Sequence, residues 1–323
     1  MKKVLVVGGG RISLSHVPHV LQTFGEDLTI VEPSFFNRRL IGFLTRAKCY
    51  KALGQLNVSD FDFALILTPP HLHRSLAERC LQRGVPCFIE KPAVLSLDEF
   101  DALTRMAQDN NTFFTDGYVY RYHPIIQALK NWIMQNSTVA KFDICMVGNV
   151  AHDDEAKDWR SVGLSSGVLW DYGCHVIDIA NFLLNGLSND VSIAHSVFEP
   201  KSNRLDEISL IVAGECNTTI SANWKDTRQR KANWRGSFET QAGDQVIFDQ
   251  YSIRFRNADG TESFTNINTL DSDVQYYLRG EDFSRQWGDF ADYLNRPKSH
   301  QFEHMLTFRD TYVVLDAAQR ILS

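Results

Sequence analysis

The feature that most constrains the fold is a glycine string that directly follows a short apolar run near the start of the chain. Residues 4–7 read Val-Leu-Val-Val, residues 8–10 are glycines, and helical spacing begins after them. A strand, a glycine turn and a helix in this order form the phosphate-binding turn of a doubly wound sheet. The positions expected to bind a dinucleotide there are Gly8, Gly10, Arg11 and Ile12.

Position 13 holds Ser where such turns usually carry a third glycine. Only a small side chain is needed at that position for the helix to pack closely on the strand, so the departure is modest. A glycine turn that serves packing alone would show the same residues, and the sequence leaves that alternative open.

Glu32 ends the second apolar run and lies 22 positions after Gly10 (32 − 10). This offset is close to the one at which an acid accepts hydrogen bonds from the ribose hydroxyls and repels a 2′-phosphate. The spacing therefore predicts NAD, and favours it over NADP, although Arg38 and Arg39 further along could weaken the discrimination. The alternative is a solvated acid at the end of a strand.

Two more apolar runs end in polar residues. The run 63–67 is followed by Thr-Pro-Pro and the run 87–89 by Glu-Lys-Pro. Because ligands bind at the carboxyl ends of strands in open α/β sheets, both segments are candidates for cofactor contacts. The candidate residues are Thr68, Pro69, His73, Glu90 and Lys91. A surface Glu–Lys pair before a helix-starting proline would explain the second segment equally well.

The hydrophobic pattern divides the chain into two domains. Residues 1–120 alternate apolar runs with helical spacing, which is typical of βαβ units and predicts a Rossmann, doubly wound parallel sheet. Beyond about residue 138 the period becomes two. We therefore expect residues 121–323 to form an α/β domain with a large, open, mixed and mostly antiparallel sheet.

A helical pattern over 168–184 places two polar residues on one face. Asp171 and His175 are four positions apart, and Asp178 lies one turn further on. An imidazole with a reference pKa of about 6.5 suits proton exchange with a hydroxyl group. From the residues alone, a buried histidine that only satisfies the core is an equally good interpretation, and Asp178 is expected to be structural.

Taken together, five motifs resemble the family of glucose-fructose oxidoreductase, inositol dehydrogenase and MocA. The motifs are the glycine loop with His16, Thr68-Pro69-Pro70 with His73, Glu90-Lys91-Pro92, Tyr120-Arg121-Tyr122-His123-Pro124, and residues 167–175 with Asp178. The resemblance implies that Lys91, Asp171 and His175 form the catalytic group. One departure is Ser165-Ser166-Gly167, where the family usually has three glycines.

The resemblance also implies an NAD(P)-dependent oxidoreductase that moves a hydride between nicotinamide and a hydroxyl-bearing carbon of a sugar, polyol or sugar derivative. A glycosidase that uses transient NAD oxidation, and a non-catalytic sensor or repressor, are alternatives within the same family. The substrate itself is not specified by the sequence.

Three further residues are candidates for substrate binding. Arg121, Trp159 and Arg160 combine forked donors with an aromatic face, which suits a hydroxyl-rich ligand. Salt bridges and packing between domains are equally consistent with them.

Composition excludes several classes of partner. The formal net charge of −6 argues against nucleic-acid binding, and the absence of an apolar run of about 18 residues argues against a membrane partner. The six cysteines form no CxxC pair, so we expect reduced thiols and a cytoplasmic location. The histidines at 71, 73 and 152 show no zinc spacing, so we expect no metal.

The predicted second sheet also suggests self-association. Its strands carry the alternating aromatic residues Trp224, Trp234, Phe238, Phe248 and Phe255. An apolar sheet face without enough helices to cover it is expected to form an interface. We therefore expect a homodimer or homotetramer. The alternative is that the helical stretches 282–294 and 302–322 cover that face, which would leave a monomer.

Overall fold

The computed structural model describes residues 2–25, 27–136, 138–149, 167–200, 202–227, 231–266 and 280–323. The chain forms two compact units. The first comprises Met1–Tyr122 and Asp271–Leu306, and the second comprises His123–Leu270 and Thr307–Ser323.

The first unit contains a six-stranded sheet in the order β3-β2-β1-β4-β5-β6, and all its pairs are parallel. Its strands are β1 (Val4–Val7), β2 (Leu28–Val31), β3 (Lys48–Tyr50), β4 (Phe63–Ile66), β5 (Cys87–Ile89) and β6 (Phe114–Asp116). The strand order reverses between β1 and β4, which is the switch point where open α/β sheets bind ligands. The predicted doubly wound sheet is confirmed.

The helices of this unit follow the strands in sequence. They are α1 (Ser13–Phe24), α2 (Phe35–Thr45), α3 (Pro70–Leu81), α4 (Leu97–Asp109), α7 (Gly280–Asn295) and α8 (Lys298–Leu306). Every residue of β1, β4 and β5 is buried, as expected for strands of a parallel sheet covered on both faces.

Helices α7 and α8 pack on the first unit although they lie late in the sequence. The Trp287 ring centroid is 4.5 Å from that of Phe88, and the Phe290 centroid is 5.2 Å from that of Phe63. The sequence pattern placed both helices in the domain of residues 121–323. Helical spacing shows that an apolar face exists but does not show which core buries it.

The second unit contains an eight-stranded sheet in the order β14-β13-β12-β11-β7-β10-β9-β8. Its strands are β7 (Val139–Val147), β8 (Asp190–Phe198), β9 (Leu205–Ala213), β10 (Asn217–Asn223), β11 (Asn233–Thr240), β12 (Gln245–Asp249), β13 (Ser252–Arg256) and β14 (Glu262–Asn266). The β7–β10 pair is parallel and the other described pairs are antiparallel, so the predicted mixed sheet is confirmed. Its helices are α5 (Pro124–Gln135), α6 (Cys174–Leu184) and α9 (Arg309–Leu322).

The aromatic residues of this sheet lie on its inner face. Trp224, Trp234, Phe238 and Phe248 are at most 3% exposed, and Phe255 packs with its ring centroid 5.4 Å from that of Trp132 on α5. The expectation that these five residues line an uncovered apolar face is therefore wrong. Alternation assigns them to one face of the sheet, but only the packed structure shows that the face is covered.

Several element boundaries differ from the sequence pattern. Residues 245–256 form the β12–β13 hairpin rather than one strand, and residues 302–322 are divided between α8 and α9 rather than forming one helix. The edge strands β3 and β14 were not predicted. Both are short and lack the apolar alternation that identifies a strand; β14 is exposed throughout, and β3 has one exposed and two half-buried residues.

A histidine is buried among cations in the first unit. The Thr115 hydroxyl lies 2.8 Å from His304 Nε2, and the Tyr293 ring stacks on the imidazole with centroids 3.9 Å apart. Burial, followed by the charges of Arg121 and Arg296, lowers the pKa of His304 to about 3. The side chain is therefore neutral in the folded protein at neutral pH.

This burial predicts a specific loss of stability in mild acid. The unfolded chain takes up a proton at this histidine below pH 6.5, whereas the folded chain does not until about pH 3, so stability falls as the pH falls through that interval. Between about pH 7 and pH 5 the wild type should lose about 2 kcal/mol more unfolding free energy than His304→Gln. Urea denaturation of both proteins across that range measures the difference, and parallel pH profiles would contradict it.

Candidate active site

The glycine turn after β1 has one side closed by backbone and one side open. Gly8 has φ of +109°, and a Cβ there would lie 2.6 Å from the Leu67 carbonyl oxygen, so only glycine fits. A Cβ on Gly10 would meet no atom within 4 Å. The Ser13 hydroxyl donates to the Gly10 carbonyl oxygen at 2.6 Å and closes the turn. The open side at Gly10 is where a pyrophosphate can approach the backbone.

Glu32 lies beside this turn, as its spacing predicts. Its Oε2 accepts the Gly9 N–H at 2.8 Å and its Oε1 accepts the Ser34 N–H at 2.7 Å. These bonds hold the carboxylate at the end of β2 and leave other lone pairs to accept ribose hydroxyls. Arg38 donates to the Glu32 carbonyl oxygen at 2.6 Å, so its guanidinium is directed toward the main chain.

The glycine turn and Glu32 therefore fit the adenosine half of NAD. Arg11 is exposed and Ile12 is half-buried just before α1 begins. Both stand at the helix N-terminus, where backbone dipoles favour an anion.

His73 joins the segments that follow β4 and β5. It is fully buried, with Nδ1 2.9 Å from the Pro92 carbonyl oxygen and Nε2 2.6 Å from the Thr68 carbonyl oxygen. Burial lowers its pKa, and the two carbonyl contacts oppose that effect. The geometry gives His73 a positioning role behind the loop, whereas Pro69 at the start of α3 is exposed.

A second buried histidine orients the acid that precedes Lys91. His16 Nε2 lies 3.1 Å from Glu90 Oε2, and its ring packs edge-on against Trp287. Lys91 follows directly, half-buried, with a cis peptide bond to Pro92. The contact between His16 and Glu90 fixes the chain at the carboxyl end of β5, immediately before Lys91.

Gly117 is a site residue that sequence reasoning missed. A Cβ at this position would lie 2.8 Å from Glu90 Oε2 and 3.0 Å from its Cα, so a side chain would displace the acid. The only sequence signal is a glycine directly after the strand β6.

In the second unit, Asp171 and His175 lie at the start of a buried helix. Asp171 is in a π-helical turn, Leu169–Gly173, and His175 is the second residue of α6; each is 6% exposed. The sequence predicted a continuous helix over 168–184. π-Helical turns recur at functional sites because they shift side chains relative to regular helical positions.

The polar residue one turn further along α6 is structural. The Thr311 hydroxyl donates to Asp178 Oδ1 at 3.0 Å, and Asp178 is 1% exposed. This bond ties α6 to the first turn of α9, in agreement with the expected structural role.

The three candidate substrate-binding residues have different outcomes. Arg121 is 5% exposed in the first unit, where its charge acts on His304. Trp159 and Arg160 lie outside the described residues. Their assignment to substrate stays a prediction.

Two further findings concern the described residues only. Within those ranges, no group of three or more His, Cys, Asp or Glu side chains is placed to hold a metal ion. The same ranges contain no helix that is both long and apolar enough to cross a membrane.

Comparison with known proteins finds a family match within the first unit. Residues 2–118 match the oxidoreductase family with an NAD-binding Rossmann fold, GFO_IDH_MocA. UDP-N-acetylglucosamine 3-dehydrogenase of Acidithiobacillus ferrooxidans is 38% identical over 85 residues, which are 26% of this chain and 27% of that protein. Inositol 2-dehydrogenase of Rhizobium meliloti is 26% identical over 158 residues, 48% of this chain and 47% of that protein. The chain thus spans less than half the length of either relative.

The fold similarity extends over almost the whole chain. An oxidoreductase from Agrobacterium radiobacter, solved with NAD⁺, L-tartaric acid and magnesium, has a TM-score of 0.80 at 15% identity, covering 98% of this chain and 96% of that one. Similarity at this identity establishes the fold alone. The family match covers residues 2–118 and therefore concerns the first unit, whose strand order is that of a Rossmann domain.

An added methyl group should lower stability at Gly8 but lower NAD affinity at Gly10, because the two positions lie on different sides of the turn. Gly8→Ala places a Cβ against Leu67 with a disfavoured φ, so we expect a loss of stability of about 2 kcal/mol or more. Gly10→Ala meets no protein atom and should preserve the melting temperature but weaken NAD binding, since the methyl group occupies the open side. Thermal denaturation and NAD titration of both variants separate these effects. Unchanged NAD affinity in Gly10→Ala would show that the cofactor does not approach there.

Proposed function

We propose that the protein is an NAD-dependent oxidoreductase that transfers a hydride between nicotinamide and a hydroxyl-bearing carbon of a sugar, polyol or sugar derivative. The observation that carries this proposal is the position of Lys91. It lies at the carboxyl end of β5, directly after Glu90, whose carboxylate contacts His16, in a unit that matches an NAD-binding Rossmann fold. The names of the two relatives, a nucleotide-sugar dehydrogenase and an inositol dehydrogenase, support this substrate class.

The proposed roles of the residues follow from their chemistry. NAD, when bound, supplies the hydride acceptor. In the oxidation direction His175 takes the proton of the substrate hydroxyl, because a neutral imidazole is a suitable base near neutral pH. The Lys91 ammonium stabilises the developing alkoxide electrostatically, and Asp171 orients the group. Arg121, Trp159 and Arg160 are proposed to contact the substrate.

Two observations support a proposal for the location and the oligomeric state of the protein. The described cysteines are all free, in keeping with a reducing, cytoplasmic location. We propose a homodimer or homotetramer, supported by Ile247 and Phe264, which are 60% and 59% exposed on the second sheet.

A substrate panel tests the reaction class. Polyols, aldoses, sugar acids and nucleotide sugars are each assayed with NAD for net formation of NADH. Net NADH with one class supports the proposal. Release of a free sugar without net NADH would indicate a glycosidase, and binding without turnover would indicate a sensor.

The cofactor preference depends on Glu32. Its carboxylate, fixed by Gly9 and Ser34, repels a 2′-phosphate, so NAD should bind more tightly than NADP. In Glu32→Ala the preference should fall by about tenfold, which corresponds to about 1.4 kcal/mol of lost discrimination. Titration with both cofactors gives the ratio. A ratio that does not change in the variant argues against Glu32 as the discriminating group.

Turnover depends on Lys91 and His175. Lys91→Met keeps the stem but removes the charge, so we expect kcat to fall by about 10²-fold or more while NAD affinity changes little. His175→Ala should behave likewise and should also remove the increase of the rate toward higher pH that a catalytic base produces in the pH–rate profile. Asp178→Asn is the matched control, because Asp178 is structural: it should lower stability and leave the shape of that profile intact. Near-full turnover of Lys91→Met would exclude the proposed mechanism.

A further inference from the structure

Helix α2 turns its apolar side toward solvent. Phe36, Leu40, Phe43 and Leu44 are 73%, 45%, 83% and 56% exposed, and Phe35 at the first position is 67% exposed. Five large apolar side chains on one helix of 11 residues are thus exposed to solvent. Single exposed apolar residues are normal on a protein surface, but a contiguous group marks a binding surface.

The spacing of these residues shows that the exposure is not scattered. Positions 36, 40, 43 and 44 follow the i, i+4, i+7, i+8 pattern that forms one stripe on a helix. Such a stripe normally faces the core of the domain. Here the opposite side of α2 faces the sheet, with Ile41 buried and Gly42 packed so closely that an added Cβ would lie 3.0 Å from Cys49 Sγ. The stripe therefore has no partner among the described residues.

The segment that carries the stripe is basic. Residues 33–59 contain five Lys or Arg and no Asp or Glu, although the whole chain has a formal net charge of −6. Four of these cations are exposed: Arg39, Arg46, Lys48 and Lys51. Lys48 opens β3, the edge strand of the sheet, and Lys51 follows that strand directly.

This charge pattern indicates which kind of partner can bind the stripe. A second copy would bring two sets of cations together, and a lysine on an edge strand opposes pairing with another strand. An anionic surface complements the patch. Exposed Phe and Leu on one side of a helix with Lys and Arg beside them is the composition of helices that lie on anionic lipid. Apolar insertion and basic attraction together supply the two contributions that stable membrane association requires.

We propose that α2, with Arg46, Lys48 and Lys51, binds peripherally to an anionic phospholipid surface. Phe36 and Phe43 enter the boundary between headgroups and acyl chains, and the cations contact the headgroups. The association is with the surface and needs no spanning segment. It differs from the sequence-based expectation of no membrane partner, which rested on the absence of an apolar run long enough to cross a bilayer.

Vesicle flotation of the 323-residue chain tests the proposal. Vesicles of phosphatidylcholine alone are compared with vesicles of equal parts phosphatidylcholine and phosphatidylglycerol. We expect the protein to float with the anionic vesicles and at least about tenfold less with the neutral ones, and added salt to weaken the binding. Failure to float with anionic vesicles, or equal flotation with both, would overturn the proposal.

Two sets of variants separate the contributions. Phe36→Ser with Phe43→Ser removes apolar contacts and should lower vesicle affinity at least about tenfold. Arg46→Gln with Lys48→Gln and Lys51→Gln should lower it by more than about tenfold, since each cation near an anionic surface contributes about fivefold. Met134→Ser and Lys298→Gln, exposed residues on other helices, are matched controls that should leave the affinity unchanged.

NAD titration of every variant shows whether the fold is retained, because none of these residues lies in the glycine turn or at Glu32. Sedimentation of the wild type across a concentration series tests the alternative partner, a second copy of the chain. A dimer that disappears in Phe36→Ser with Phe43→Ser would show that a second copy covers the stripe, and the lipid proposal would then be wrong.

Discussion

The contact between the turn after β1 and the end of β4 is the constraint on which the nucleotide-binding unit depends. At Gly8 the chain passes so close to the Leu67 carbonyl that no side chain fits between them. This approach brings together the carboxyl ends of β1 and β4, where the strand order reverses. The open side of Gly10 and the carboxylate of Glu32 then face the same edge of the sheet. The site follows from a backbone contact rather than from any single polar side chain.

Two buried histidines extend this arrangement toward Lys91. His73 contacts main-chain carbonyls on the segments after β4 and β5, and His16 contacts the Glu90 carboxylate. Burying an imidazole and a carboxylate has a desolvation cost that only good geometry offsets. These contacts are therefore best understood as positioning devices, which hold a short loop so that the following lysine has a defined place.

Packing also supports the strand ends of the first unit where α7 and α8 contact it. Trp287 and Phe290 of α7 enter the core formed by Phe63 and Phe88, and the neutral His304 of α8 meets Thr115 at the end of β6. The end of β6 is thus supported by a segment distant in sequence. No described residue covers helix α2 in this way, and a folded monomer does not explain the exposure of its apolar stripe.

The sequence by itself determined the nucleotide-binding turn, Glu32, the strand-end positions of Thr68 and Lys91, and the two-sheet architecture. These features are local: a strand, a glycine turn and a helix are encoded within about 30 residues, and a period of two or 3.6 identifies each element. Only the tertiary structure decided which core each apolar face meets. In that structure α7 and α8 pack on the first unit, and the apolar stripe of α2 faces solvent. Trp224 and Trp234 are buried, and Gly117 lies beside Glu90. Periodicity shows that a face is apolar, but the partner of that face is set by long-range packing, which no local pattern contains.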